Sequence, residues 1–186
     1  MNAALAFPHP SDEPTDNLET TPMTTPILML LLMTTPYLVA RLAAAARRRP
    51  VDPRGSAAVG LGLLFTFTAL GHFAKTAAMA AMLPPWIPAR VPLVLVTGVL
   101  ELAVAAAFFV PRTRRAAGWA AAALLVLFLP VNVYAAVQHV PMGGHAWGPA
   151  YLLVRVPLQL AVLLWVYRFV LRQPRAETRA GLARAA

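Results

Sequence analysis

The stretch VPLVLVTGVLELAVAAAFFV, Val91 to Val110, decides the fold. It matches in length and apolar content the roughly 18–20 residues that a membrane-spanning helix needs. It stops at Pro111 and the basic group Arg112-Thr113-Arg114-Arg115. One acidic residue, Glu101, stands near its middle, where a charge in hydrocarbon is costly.

Four further apolar runs repeat the pattern. Ile27 to Ala46 contains Pro36 and ends in Arg47-Arg48-Arg49-Pro50, and Ser56 to about Met82 is broken by Pro84-Pro85-Trp86-Ile87-Pro88. Ala116 to about Val137 contains Pro130, and about Pro149 to Leu171 contains Pro157. A cleaved signal peptide competes for the first run, given its alanines at 43–46. That reading fits less well than an uncleaved span, because arginines follow the run and no basic segment precedes it.

Composition agrees. Of 186 residues, 59% are hydrophobic and 12% charged, against about 25% charged in soluble domains. An all-α integral membrane protein with five spans follows. The net charge of +9 reflects topogenic arginine rather than a nucleic-acid surface. The connections 41–55 and 111–115 and the tail from Arg168 hold thirteen of the sixteen basic residues. The positive-inside rule therefore puts the N-terminus outside and the C-terminus in the cytoplasm. With no cysteine, disulfides, thiol redox centres and cysteine-ligated metals are excluded.

The flanks read as a disordered acidic tail over 1–25, with Asp12, Glu13, Asp16 and Glu19, and a basic cytoplasmic tail over 172–186. Met23 is an alternative start. An extra N-terminal helix occupies 26–47, and the main transmembrane domain 56–171.

Five polar residues interrupt the later runs: His72, Glu101, Asn132, Arg155 and Gln159. Helical rise of about 1.5 Å per residue puts all five between the midplane and the outer surface. Arg155 and Gln159 share a helix face with Tyr151, Glu101 shares one with Thr97, and Thr68 lies one turn before His72. Asn132 and His139 are nearly eclipsed. Pro130 and Pro157 release carbonyls at Val126 and Leu153, which neighbours or water must satisfy.

Each residue has two readings. Glu101 and Arg155 form either a structural ion pair or a ligand- or proton-handling site. Asn132 and Gln159 serve as interhelical hydrogen-bonding glue or line that site. His72 is a proton carrier and quinone hydrogen-bond partner, or a packing histidine. His139 and His145 read as ordinary loop residues near the outer surface, with no metal site expected. Lys75 is placed to snorkel to the outer headgroups, and Gly60, Gly62, Gly71 and Gly98 to let helices approach closely.

Four ordered segments carry a family resemblance: Gly71-His72-Phe73 with the Pro84–Pro88 elbow, Thr97-Gly98-Val99-Leu100-Glu101, Pro130-Val131-Asn132-Val133-Tyr134, and Arg155-Val156-Pro157-Leu158-Gln159. Together they resemble the DoxX-like family of small bacterial integral membrane proteins, over roughly residues 56–170. The resemblance implies a four-helix transmembrane bundle, to which the span at 26–47 is an N-terminal addition, and residence in the bacterial inner membrane. It implies an accessory subunit of a membrane redox system, with no independent catalytic residue assigned. His72, Glu101, Asn132, Arg155 and Gln159 match the family's characteristic polar positions.

A quinone is the candidate ligand, since it needs an apolar slot, donors at its carbonyls and a proton route. The expected partners are the lipid bilayer and a membrane redox complex or a second copy of the chain. The alternative is a non-catalytic assembly protein whose polar cluster locks the bundle. A small transporter is disfavoured by the short chain, the lack of inverted repeats and the confinement of polar residues to one half of the membrane.

Overall fold

A computed structural model describes residues 23–48, 50 and 52–172. The acidic tail up to residue 22 and the basic tail from 173 lie outside the described residues. Among the described residues the chain is helical, with no strand. The helices are α1 (Thr24–Arg47), α2 (Pro53–Ala74), α3 (Thr76–Ala81), α4 (Arg90–Phe109), α5 (Arg114–Val137) and α6 (Leu152–Val166). A 3-10 segment, His145–Tyr151, leads into α6, and a π-helical turn, Tyr167–Leu171, ends it.

Five helical stretches are long and apolar enough to cross a membrane: α1, α2, α4, α5 and His145–Leu171 as one unit. Their outward faces carry large apolar side chains, such as Leu42, Leu127, Leu153 and Leu164, all exposed. A water-soluble protein rarely leaves apolar surface of that extent uncovered. In lipid the same surface carries no such penalty.

Consecutive helices pack on one another. The most extensive contact joins α2 to α4, α5 touches α4 and α6, and α1 lies against α2 and α6. Glycines permit the closest approaches. A Cβ at Gly60 would collide with the Met33 backbone of α1, and one at Gly98 would come 2.7 Å from the Cβ of His72.

The largest apolar core lies at one end of this array. Leu61, Leu64 and Phe65 of α2 meet Val104, Ala105 and Phe108 of α4, Ala117 and Ala121 of α5, and Leu158, Val162 and Val166 of α6. Met29 and Met33 of α1 complete it. These positions fall in the first part and middle of α2, the first half of α5 and mostly in the later parts of α4 and α6.

The second apolar run does not continue as one helix to Met82. It breaks at Lys75, whose φ of −126° and ψ of 35° leave the helical region. The hydroxyl of Thr76 donates to the carbonyls of His72 (2.6 Å) and Phe73 (3.0 Å), giving the backbone an alternative partner at the break. The same helix begins earlier than the apolar run, at Pro53. Asp52 caps it by accepting from the amides of Arg54 and Gly55, each at 3.0 Å. The Pro84–Pro88 segment forms turns, with Trp86 79% exposed.

Candidate functional site

Helix α2 presents His72 to α4. Its Nδ1 lies 2.9 Å from the Val94 carbonyl, which can only accept, so Nδ1 carries a proton. The Thr97 hydroxyl oxygen is 3.2 Å from the same nitrogen. That leaves Nε2 facing Glu101 Oε2 at 3.5 Å. Glu101 is 4% exposed, and its Oε2 is buried without a hydrogen bond. Gly98 makes this meeting possible, one turn before Glu101, because no Cβ holds the His72 backbone away.

Helix α5 presents Asn132 to the last span. Its Nδ2 donates to the Phe128 carbonyl at 2.8 Å. Its Oδ1 accepts from Arg155 Nε at 3.1 Å and faces His145 Nε2 at 3.2 Å. The amide cannot be turned over without setting oxygen against oxygen at Phe128 and nitrogen against the Arg155 donor. His145 Nδ1 is 2.7 Å from the Met142 carbonyl. Both ring nitrogens of His145 thus face acceptors, and the network is complete when both carry protons.

His145 is the residue the sequence reading missed. It is 3% exposed rather than a loop residue at the surface. The 3-10 segment turns it inward, and the edge of Tyr151, itself 1% exposed, packs on its ring at 5.0 Å. Gly144, at φ 95°, admits the Tyr151 ring where a Cβ would collide with it. The visible signal was Gly143-Gly144 before the histidine, a pair that lets a loop fold tightly back. His139, nearly eclipsed with Asn132 in sequence, is exposed instead.

Arg155 extends from α6 with few partners. Nε bonds to Asn132, and one Nη1 donor lies 3.8 Å from the Met29 sulfur of α1. The expected alternative of an ion pair with Glu101 is not what forms. The two charges are close enough to act on each other, but among the described residues the histidine, not the arginine, is the basic group within 4.0 Å of Glu101.

Gln159 stands apart from both groups. Its Nε2 donates to the Leu125 carbonyl of α5 at 2.6 Å. That carbonyl neighbours Val126, which Pro130 deprives of its usual donor.

The five sequence-selected residues therefore resolve into a His72–Glu101 pair, an Arg155–Asn132 pair extended by His145, and a separate α6–α5 tie at Gln159. The ring of Phe128 lies against His72, with centroids 6.0 Å apart, while its carbonyl holds Asn132. That residue joins the first two groups. Among the described residues no cluster of three or more potential metal ligands occurs.

A family model described as a domain of unknown function (DUF8561) matches residues 61–170. The chain belongs to that family. The matched region contains all five selected residues together with His145 and Tyr151, and it omits α1. No curated protein and no solved structure matches the chain.

Proposed function

We propose that this DUF8561 protein is a DoxX-like accessory protein of a bacterial cell-membrane redox system, binding the polar head of a lipophilic molecule between its helices. A quinone is the leading candidate. The observation that carries the reading is the guanidinium of Arg155. It has five N–H donors, and its partners among the described residues are one amide oxygen and one thioether sulfur. A cation inside a span normally meets a carboxylate, water or a ligand. Beside it, His72 and Glu101 offer a group able to hold a proton, as quinone reduction requires.

The same proposal includes the architecture. Helices α2, α4, α5 and α6 form the four-helix bundle, α1 is added across α2 and α6, the N-terminus is outside and the C-terminus is cytoplasmic. The helix contacts and the arginine distribution support it. Because the chain has no cysteine, single-cysteine variants at Asp52 and Gly143 give a background-free test. Membrane-impermeant labelling from outside should reach position 143 and not 52, and the reverse pattern overturns the orientation.

Native mass spectrometry of the detergent-purified protein tests the ligand. A retained lipophilic molecule, lost in Arg155→Gln, is the expected result. Protein that carries none, and whose thermal stability does not respond to added quinone, refutes the reading.

A second reading, an assembly protein with the cluster as a lock, is favoured by the bonds of Asn132 and Gln159 to the α5 backbone. Under it a folded variant carrying both Glu101→Gln and Arg155→Met keeps its function. Under the ligand reading that variant loses function without losing its fold.

A further inference from the structure

The cluster holds one carboxylate and one guanidinium, and they do not touch. Among the described residues, Arg155 has three N–H groups without a protein acceptor, after the bonds to Asn132 and Met29 are counted against its five donors. Glu101 Oε2 is buried without a hydrogen bond and faces His72 Nε2 across 3.5 Å. The other nitrogen of His72 is committed as a donor to Val94. With Glu101 ionised and His72 neutral, two lone pairs face each other across that gap. One proton placed between them converts the contact into a hydrogen bond.

We infer that the site takes its ligand as an anion together with a proton. The anionic oxygen docks on the free donors of Arg155, and the proton enters between His72 and Glu101. The inference rests on the ligand reading above and names the chemistry of the ligand's head: a singly charged oxyanion such as a carboxylate. Charge linkage drives the coupling. With Glu101 ionised, its charge balances that of Arg155 in the empty site. A docked anion supplies a second, and protonation of the His72–Glu101 pair restores the balance, so the cluster's net charge is the same before and after loading.

Several groups face this pair and bear on its titration. Thr68 of α2 lies beside the Glu101 carboxylate, Thr97 of α4 and the Phe128 ring of α5 border His72, and Arg155 acts from α6. His145 and Tyr151, both beside Arg155, are the other titratable groups within its reach. The Nδ1 of His145 faces the Met142 carbonyl and its Nε2 the Asn132 amide oxygen, so His145 is the competing position for a proton, and replacing it separates the two.

Isothermal titration calorimetry on the full chain in phosphatidylcholine nanodiscs, against empty nanodiscs, tests this. Titrations in two buffers of different ionisation enthalpy count the protons taken up. Oleate represents an anion arriving from the lipid, acetate one arriving from water, and decylubiquinone a neutral head. At least one anion should bind with uptake of about one proton. Glu101→Gln should bind it with no uptake, and His145→Phe should keep the uptake. Arg155→Gln should weaken anion binding by about tenfold or more, the loss expected for hydrogen bonds to a charged group. Should Glu101→Gln fail to fold, His72→Gln keeps a donor for Val94, removes the accepting nitrogen and reads the same uptake.

Uptake that persists in both the Glu101 and His72 variants overturns the inference, as does uptake that vanishes in His145→Phe. Decylubiquinone binding with both anions silent also overturns it, while leaving the ligand reading standing. Silence of all three probes removes both.

Discussion

Replacing Asn132 by leucine puts a number on the network at the centre of the site. The side chain makes three polar contacts: Nδ2 to Phe128 at 2.8 Å, and Oδ1 to Arg155 at 3.1 Å and His145 at 3.2 Å. Leucine nearly conserves the volume, so no large cavity term enters. Side-chain hydrogen bonds between membrane helices average about 0.6 kcal/mol, with a maximum near 1.7. The Phe128 and His145 contacts at the mean and the charge-assisted Arg155 contact near the maximum sum to about 3 kcal/mol. The Phe128 contact lies within one helix, which places the expected loss at about 2–3 kcal/mol.

Equilibrium unfolding in mixed micelles with increasing dodecyl sulfate, followed by circular dichroism, measures it. A loss below about 0.5 kcal/mol, within the range of an ordinary surface change, would refute the claim that Asn132 ties α5 to the last span. Asn132→Asp is the informative control. It keeps Oδ1 facing Arg155 and His145 and gives up the Phe128 contact, so its loss should be about 1 kcal/mol or less, and a loss equal to that of leucine contradicts the assigned bonds.

Three further changes probe the scaffold. Gly98→Ala puts a Cβ 2.7 Å from His72 Cβ and should cost about 1–3 kcal/mol by overpacking; an unchanged unfolding midpoint contradicts the close α2–α4 approach. Asp52→Ala removes the two cap bonds of α2 and should cost about 1 kcal/mol, with ligand binding unaffected; an altered ligand affinity would show that the two ends of α2 are coupled. Gly144→Ala, at φ 95° and against the Tyr151 ring, should release the 3-10 segment. Hydrogen exchange at 145–151 should then rise, and unchanged protection contradicts the burial of His145.

Long apolar runs ending at proline and arginine were legible from the sequence, because hydrocarbon thickness sets their length. The run limits and the helix limits of α4 and α5 agree to within about two residues, the usual uncertainty of helix ends. The break at Lys75 was not legible, since Gly71-His72-Phe73-Ala74-Lys75-Thr76 contains no proline, and a threonine hydroxyl competing for carbonyls is a weak local signal. Helical rise gives an expected depth for each polar residue, because depth along a span depends on position alone. Pairing was a different matter. It depends on rotation and on side-chain reach across helices, and Glu101 met His72 rather than Arg155 because Gly98 brings α4 against α2 at that level. His145 was hidden by its place in a glycine loop, where nothing periodic marks an inward face.

The lock and ligand readings concern different atoms. Asn132 directs Nδ2 to the Phe128 carbonyl and Oδ1 to the Arg155 Nε donor and the His145 ring, and Gln159 Nε2 closes on the Leu125 carbonyl near the Pro130 bend. Such side chains satisfy backbone that a proline or a break has loosened, as lipid requires. Arg155 and Glu101 behave otherwise, one with free donors and the other with a buried free acceptor. A purely structural cluster would gain by bringing these two charges together. Their separation, with His72 beside the carboxylate and Met29 beside the guanidinium, leaves unmet capacity on both sides of the cluster. Unmet capacity of opposite kinds, a few side chains apart in an apolar surrounding, is the feature on which the proposed anion-and-proton site rests, and a lock has no need of it.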